Sequence, residues 1–132
     1  MAQFDERNIQ VMPTQYAVIA ENYVAIKDRD LTDKHVILPT FYNAIGDVTG
    51  KKVLELGCGE GRAGRGLLER GAVHIVGIDK EPAMLQEARR RQSVRASYLT
   101  AAVGELGQIG LFDVIAGPWI LQTLMTFTID LM

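Results

Sequence analysis

The 132-residue sequence is poor in the residues that build disulfide frameworks and metal sites: it has one cysteine, Cys58, and two histidines, His35 and His74. A lone cysteine excludes an intrachain disulfide and fits a reducing, cytoplasmic setting. With the two histidines far apart and neither near Cys58, no metal-ligand spacing is present, and no metal is expected. Surplus positive charge is also missing, since 14 basic residues face 16 acidic ones. Nothing in that balance draws nucleic acid or an anionic membrane surface as a main partner. Met1 to Gln10 is polar and charged and does not resemble a secretory leader. The one long apolar stretch, Leu111 to Met132, is broken by Asp113, Pro118, Gln122 and Asp130. It lacks the ~20 continuous apolar residues of a membrane span and is expected to be a buried strand followed by a helix.

Strand and helix patterns alternate along the chain. Tyr16 to Lys27 repeats apolar residues at helical spacing. A second helix is expected from an N-cap at Thr32 or Asp33 to Gly46, with Pro39 kinking it or dividing it in two. Val53 to Leu56 is a first strand, and Arg62 to Arg70 a helix closed by Gly71. Val73 to Asp79 is a second strand, Pro82 to Arg91 a helix, Val94 to Thr100 a third strand and Phe112 to Ala116 a fourth. Such alternation predicts an α/β fold, a Rossmann-like three-layer sandwich with a mainly parallel sheet of about four strands. Residues 1–48 form an N-terminal arm and helical cap, and 49–132 the core of the same single domain.

The densest chemistry lies in Val53-Leu54-Glu55-Leu56-Gly57-Cys58-Gly59-Glu60-Gly61, followed by Gly77-Ile78-Asp79. Gly57 and Gly59 let the backbone approach a ligand, and Gly61 can take positive φ. The helix opening at Arg62 offers free N–H groups to an anion. Asp79, about twenty residues further on, is placed to accept the hydroxyls of a ribose. Gly59-Glu60-Gly61-Arg62-Ala63-Gly64 also spells the dinucleotide fingerprint G-x-G-x-x-G, which would suit an NAD(P)-binding domain. That register leaves Glu55 unexplained within an apolar strand, where an unpartnered carboxylate is costly. In the register Gly57-x-Gly59-x-Gly61, Glu55 lies under the turn, near a bound α-ammonium group.

In this second register the segment from Val53 to Gly61 resembles motif I of the class I S-adenosylmethionine-dependent methyltransferases. Val76 to Leu85 resembles their second motif and Phe112-Asp113-Val114-Ile115 their fourth strand, so the likeness covers about residues 14 to 122. It implies methyl transfer from S-adenosylmethionine to a small-molecule acceptor, with S-adenosylhomocysteine as product. Glu55, Gly57, Cys58, Gly59 and Gly61 would then hold the methionyl part and Asp79 the ribose. Lys80 and Met84 would flank the adenine, with backbone groups of Ala102 and Val103 beside it, and Tyr16 and Tyr23 would approach from the cap. The family often places an acid after strand three, where this chain has Ala101-Ala102-Val103, which implies weaker cofactor binding. No catalytic base is identified. A non-catalytic or truncated cofactor-binding or regulatory subunit is the main alternative.

Cys58 has no base at a nucleophile's spacing and is expected to pack beside the ligand. His74 and His35 are expected on a strand and a helix surface. Gly117-Pro118-Trp119 shares part of the Pro-Pro-aromatic motif of amino-methylating relatives, but fits a turn with a core tryptophan better. Arg89-Arg90-Arg91 with Arg95 is a basic run suited to a solvated helix end. Relatives carry three more strands after the fourth. With the usual order 3-2-1-4, strand four is therefore expected to be an exposed edge, covered by a second copy of the chain or by a partner chain.

Overall fold

In the computed structural model, residues 15–91 and 94–118 are described. Helix α1 spans Gln15–Asp28, a π-helical segment Asp33–Ile37 and helix α2 Leu38–Ile45. Strand β1 follows at Lys52–Leu56, α3 at Arg62–Glu69, β2 at His74–Asp79 and α4 at Pro82–Arg90. The described chain closes with β3 at Ala96–Thr100, a single 3-10 turn at Val103–Glu105 and β4 at Val114–Ala116. The strands pair in the order β3-β2-β1-β4, all parallel, as the sequence predicts. The chain thus leaves β1 for β2 and β3 on one side and returns to β4 on the other. The carboxyl end of β1, where the glycine turn begins, is therefore the topological switch point at which such sheets bind ligands.

Alternation within the strands divides the sheet into two faces. Val53, Ile75 and Ala96 lie on one face with Leu67 and Leu68 of α3, and Val48 and Ala72 complete this core. Helix α4 packs against β2 and β3, and α1 packs against α4. Met84, Leu85 and Ala88 form the inner side of α4, as its spacing predicts. Ile115 of β4 is 64% exposed.

The cap forms differently from the sequence expectation. Thr32 is already helical and its side chain makes no cap bond. Asp30 is the N-cap instead: its Oδ1 accepts the N–H groups of Thr32 and Asp33 at 2.9 and 3.2 Å. That arrangement satisfies two of the N–H groups a helix start leaves unpaired. The expected division is not seen: the backbone stays helical through Ile37 and Leu38 and only changes there from π to α geometry. Pro39, which has no N–H to give to the preceding turn, lies directly beyond this change of geometry, and the π-helical segment precedes it. His35 is exposed on the π-helical segment.

Tyr42 fastens α2 to α3. Its hydroxyl donates to the Ala63 carbonyl at 3.1 Å, and the Arg70 guanidinium lies 3.6 Å from its ring centroid. The ring rests directly on Gly66, and a Cβ there would overlap the Tyr42 hydroxyl. Gly66→Ala is therefore expected to displace α2 and lower stability by about 2 kcal/mol. A urea titration followed by circular dichroism measures this, and an unchanged midpoint would mean that Tyr42 moves aside freely.

Candidate functional site

Three left-handed glycines shape the loop between β1 and α3: Gly57 at φ 64°, Gly59 at φ 55° and Gly61 at φ 86°. At Gly61 the need for glycine is double, because a Cβ would lie 2.7 Å from the Tyr98 hydroxyl. Gly59 stands over Met84, whose Cε is 3.2 Å from where a Cβ would be. The Cys58 N–H donates to the Ile78 carbonyl at 3.0 Å, joining the turn to the end of β2.

Asp79 ends β2 and supports this turn. Its Oδ2 accepts the Gly59 N–H and its Oδ1 the Glu81 N–H, both at 2.9 Å. Each carboxylate oxygen has a second lone pair for a ligand hydroxyl. The Asp79 carbonyl in turn accepts the Ala101 N–H at 3.0 Å, which brings the loop after β3 to the same end of the sheet. Ala102 and Val103 are half-buried there, with their carbonyls taken by the N–H groups of Glu105 and Leu106.

Glu55 is fully buried on β1, and among the described residues neither of its oxygens has a hydrogen-bond partner. Its side chain faces α3, where a Cβ on Gly64 would come within 2.7 Å of Oε2. Gly64 thus fills the helix–strand packing role that the third glycine has in the dinucleotide fingerprint. Here the side chain it makes room for is a carboxyl group. Burial pushes the Glu55 pKa up to about 8, and the negative charge of Glu60 and Asp79 acts in the same direction. Arg65 and the nearby Gly64 N–H oppose the shift, but that N–H closes no hydrogen bond of accepted geometry.

Cys58 is buried, and burial together with Glu55 and Asp79 drives its thiol pKa upward. A thiol held neutral in this way is no nucleophile. With the Tyr98 ring, it fills the space left by Gly77. Met84 is buried beneath Gly59, whereas Lys80 is exposed next to Asp79. Tyr23 is half-buried on α1 beside Lys27, whose Nζ is 5.8 Å from its ring centroid. The side chain of Tyr16, and all of Trp119, lie outside the described residues.

The structure also adds residues that motif reading missed. Glu60 is 4% exposed, and its carboxylate is held by Arg62 Nε at 2.9 Å and Arg65 at 2.5 Å. Arg62 continues to Asp28 Oδ1 at 2.5 Å and to the Lys27 carbonyl at 3.0 Å. The spacing Glu60-x-Arg62-x-x-Arg65 is the one sequence signal for this cluster. Tyr98 carried no signal, because only strand pairing sets it beside Gly77 and the turn. The basic run is not merely solvated: Arg90 and Arg91 pair with Glu87, Arg89 donates to the Tyr98 carbonyl and Arg95 to that of Ala72. His74 is hydrogen-bonded to Ser97 at 3.1 Å.

A carboxylate-braced glycine turn at the switch point of a parallel sheet defines a nucleoside-cofactor domain of the Rossmann-like class. Residues 53–126, more than half of the chain, match the family model described as a methyltransferase domain, and the chain belongs to that family. A ribosomal protein L11 methyltransferase from Marinobacter nauticus is 45% identical over 56 residues, covering 40% of this chain and 19% of that protein. A ubiquinone biosynthesis O-methyltransferase from Acinetobacter baylyi is 36% identical over 91 residues, covering 61% and 38%. Among solved structures, an S-adenosylmethionine-dependent methyltransferase from Listeria monocytogenes, itself named only tentatively, superposes with a TM-score of 0.54. Its identity is 30%, over 61% of this chain and 37% of that one. The chain thus spans well under two thirds of the length of each of these proteins.

These relatives overturn one expectation. The family resemblance implies a small-molecule acceptor, and the charge balance argues against a nucleic-acid partner. The Marinobacter relative is instead named for a ribosomal protein. A Pyrococcus horikoshii protein, named only tentatively as an RNA methyltransferase, shares the fold, with a TM-score of 0.52 at 20% identity over 61% of this chain and 40% of that one. Net charge failed as a guide because it sums the whole chain, whereas an acceptor meets only one patch of it. No helix among the described residues is long and apolar enough to cross a membrane.

Proposed function

We propose that this chain binds S-adenosylmethionine on the glycine turn and serves methyl transfer from it. The observation that carries this reading is Glu55. A buried carboxyl with no partner is a standing energetic cost, relieved when a ligand brings a cation or a donor to it. The residues fit the cofactor: its amino-acid end carries an ammonium group, its ribose two hydroxyls and its adenine a flat ring. When bound, the cofactor supplies an activated methyl group.

The chain's own part is binding and alignment. Backbone from Gly57 to Gly61, with Cys58 packed behind it, holds the methionyl part against the end of β1, above Glu55. Asp79 takes the ribose hydroxyls on its remaining lone pairs while it braces the turn. Lys80 flanks the adenine from the solvent side, Met84 supports the turn from beneath Gly59, and the loop at Ala102 and Val103 closes the far end. Tyr23, half-buried on α1, is the described cap residue assigned to approach the cofactor. Positioning of this kind supplies much of the rate in a displacement that needs little acid–base chemistry. The single cysteine favours a reducing, cytoplasmic setting for it.

Calorimetric titration with S-adenosylhomocysteine tests the reading directly. Saturable one-to-one binding is expected, with NAD producing no heat. Folded protein that takes up NAD and ignores S-adenosylhomocysteine would overturn it.

A further inference from the structure

Glu60 occupies the middle of the glycine turn, and its buried carboxylate is held between Arg62 and Arg65. Arg65 grips it twice, through the carboxylate at 2.5 Å and through the Glu60 carbonyl at 2.6 Å, so the peptide at 60–61 is held as well as the side chain. Arg62 uses three nitrogens on two separate elements. Nε binds Glu60, and the other two bind Lys27 and Asp28 at the end of α1, more than thirty residues earlier. Lys27 is fixed from its other end too, its Nζ lying 2.7 Å from the buried Asp33 carboxylate. A continuous run of polar contacts therefore leads from the ligand turn through Arg62 to the base of the cap.

We propose that Arg62 is a positioning residue that couples the helical cap to the cofactor turn, so that occupation of the turn stiffens the end of α1. The inference rests on the cofactor reading above. Its physical basis is the planar guanidinium fork, which meets two partners only when turn and cap stand in one relative position. A ligand that fixes the turn thereby fixes the fork, and by linkage a fixed cap favours the ligand.

The test combines calorimetry with hydrogen exchange read over residues 21–30, using S-adenosylhomocysteine as probe. In the unaltered chain, ligand is expected to slow exchange at the end of α1. Arg62→Ala is expected to weaken binding roughly tenfold and to abolish that slowing. Arg62→Lys, which reaches one partner but cannot fork, is expected to recover part of the affinity and little of the slowing. If Arg62→Ala does not fold, Asp28→Ala serves instead. It removes one of the two cap-side partners, the 56% exposed Asp28 carboxylate, leaves the Lys27 carbonyl, and is expected to reduce the slowing while the turn stays intact. Variants that lose thermal stability but keep the wild-type affinity and exchange response would show a merely structural bridge and overturn the inference. Failure of the unaltered chain to bind the probe would overturn the cofactor reading, and this inference with it.

Discussion

Glu55→Gln is expected to be more stable than the unaltered chain at pH 8 and above, and equal to it below about pH 4.5. The Glu55 carboxyl has a folded pKa of about 8 against an ordinary value of 4.5, with desolvation the main cause. Between those two values the folded chain holds a proton that the unfolded chain has released. Stability from this group is therefore fully present below about pH 4.5 and is lost as pH rises toward about 8. The shift corresponds to at most roughly 5 kcal/mol. Glutamine carries no titrating proton, so the difference between the two urea midpoints should widen across this window and level off above it. Parallel curves from pH 5 to 9 would mean that the carboxyl is already ionised, with a partner.

The same residue predicts a binding signature. A ligand ammonium beside Glu55 favours its ionised form. S-adenosylhomocysteine binding below pH 8 should then release a proton, detected as a binding heat that depends on the buffer's ionisation enthalpy. Glu55→Gln should bind more weakly and lose that dependence.

Asp79→Ala is the second substitution with a large expected effect. It removes two carboxylate–amide hydrogen bonds, one from the middle of the glycine turn and one from the entry to α4. Charged hydrogen bonds contribute roughly 1.5–3 kcal/mol each, and the half-buried position puts the pair near the lower end, about 3 kcal/mol in all. Cofactor affinity should fall by at least roughly a hundredfold, because the turn loses its brace and the ribose its acceptor. Asp79→Asn is not a conservative replacement: its amide group turns one donor toward another N–H. It should therefore lose stability as well as affinity, measured by urea titration and calorimetry. An asparagine variant that binds as tightly as the unaltered chain would show that the carboxylate is dispensable.

How much of this was legible before the structure depends on the range of the interaction. The strand from Val53 to Leu56, the glycine turn and the acid at 79 are written locally, in alternation, left-handed glycines and a strand end. The order 3-2-1-4 followed from the resemblance to a known family. The cap was read less well. Asp30-Leu31-Thr32-Asp33 has an acid at the N-cap and another three residues on, a helix-start pattern. Thr32 and Asp33 are equally good caps in isolation, and only the folded backbone selects Asp30. The pairing of Arg90 and Arg91 with Glu87 is also present as helical spacing, i to i+3 and i to i+4.

By itself, the sequence determined where the backbone must turn, which residues can make that turn and which carboxyl groups stand beside it. Those properties depend on φ, on side-chain alternation and on neighbours a few positions apart. Tertiary structure alone decided that Glu55 has no partner among the described residues, that Asp79 braces the turn it was expected only to face, and that Arg62 ties this turn to the cap. Each of these depends on which groups from distant segments share a dry volume. Burial sets the charge of a carboxyl and the reach of a guanidinium fork, and burial exists only once the chain has packed.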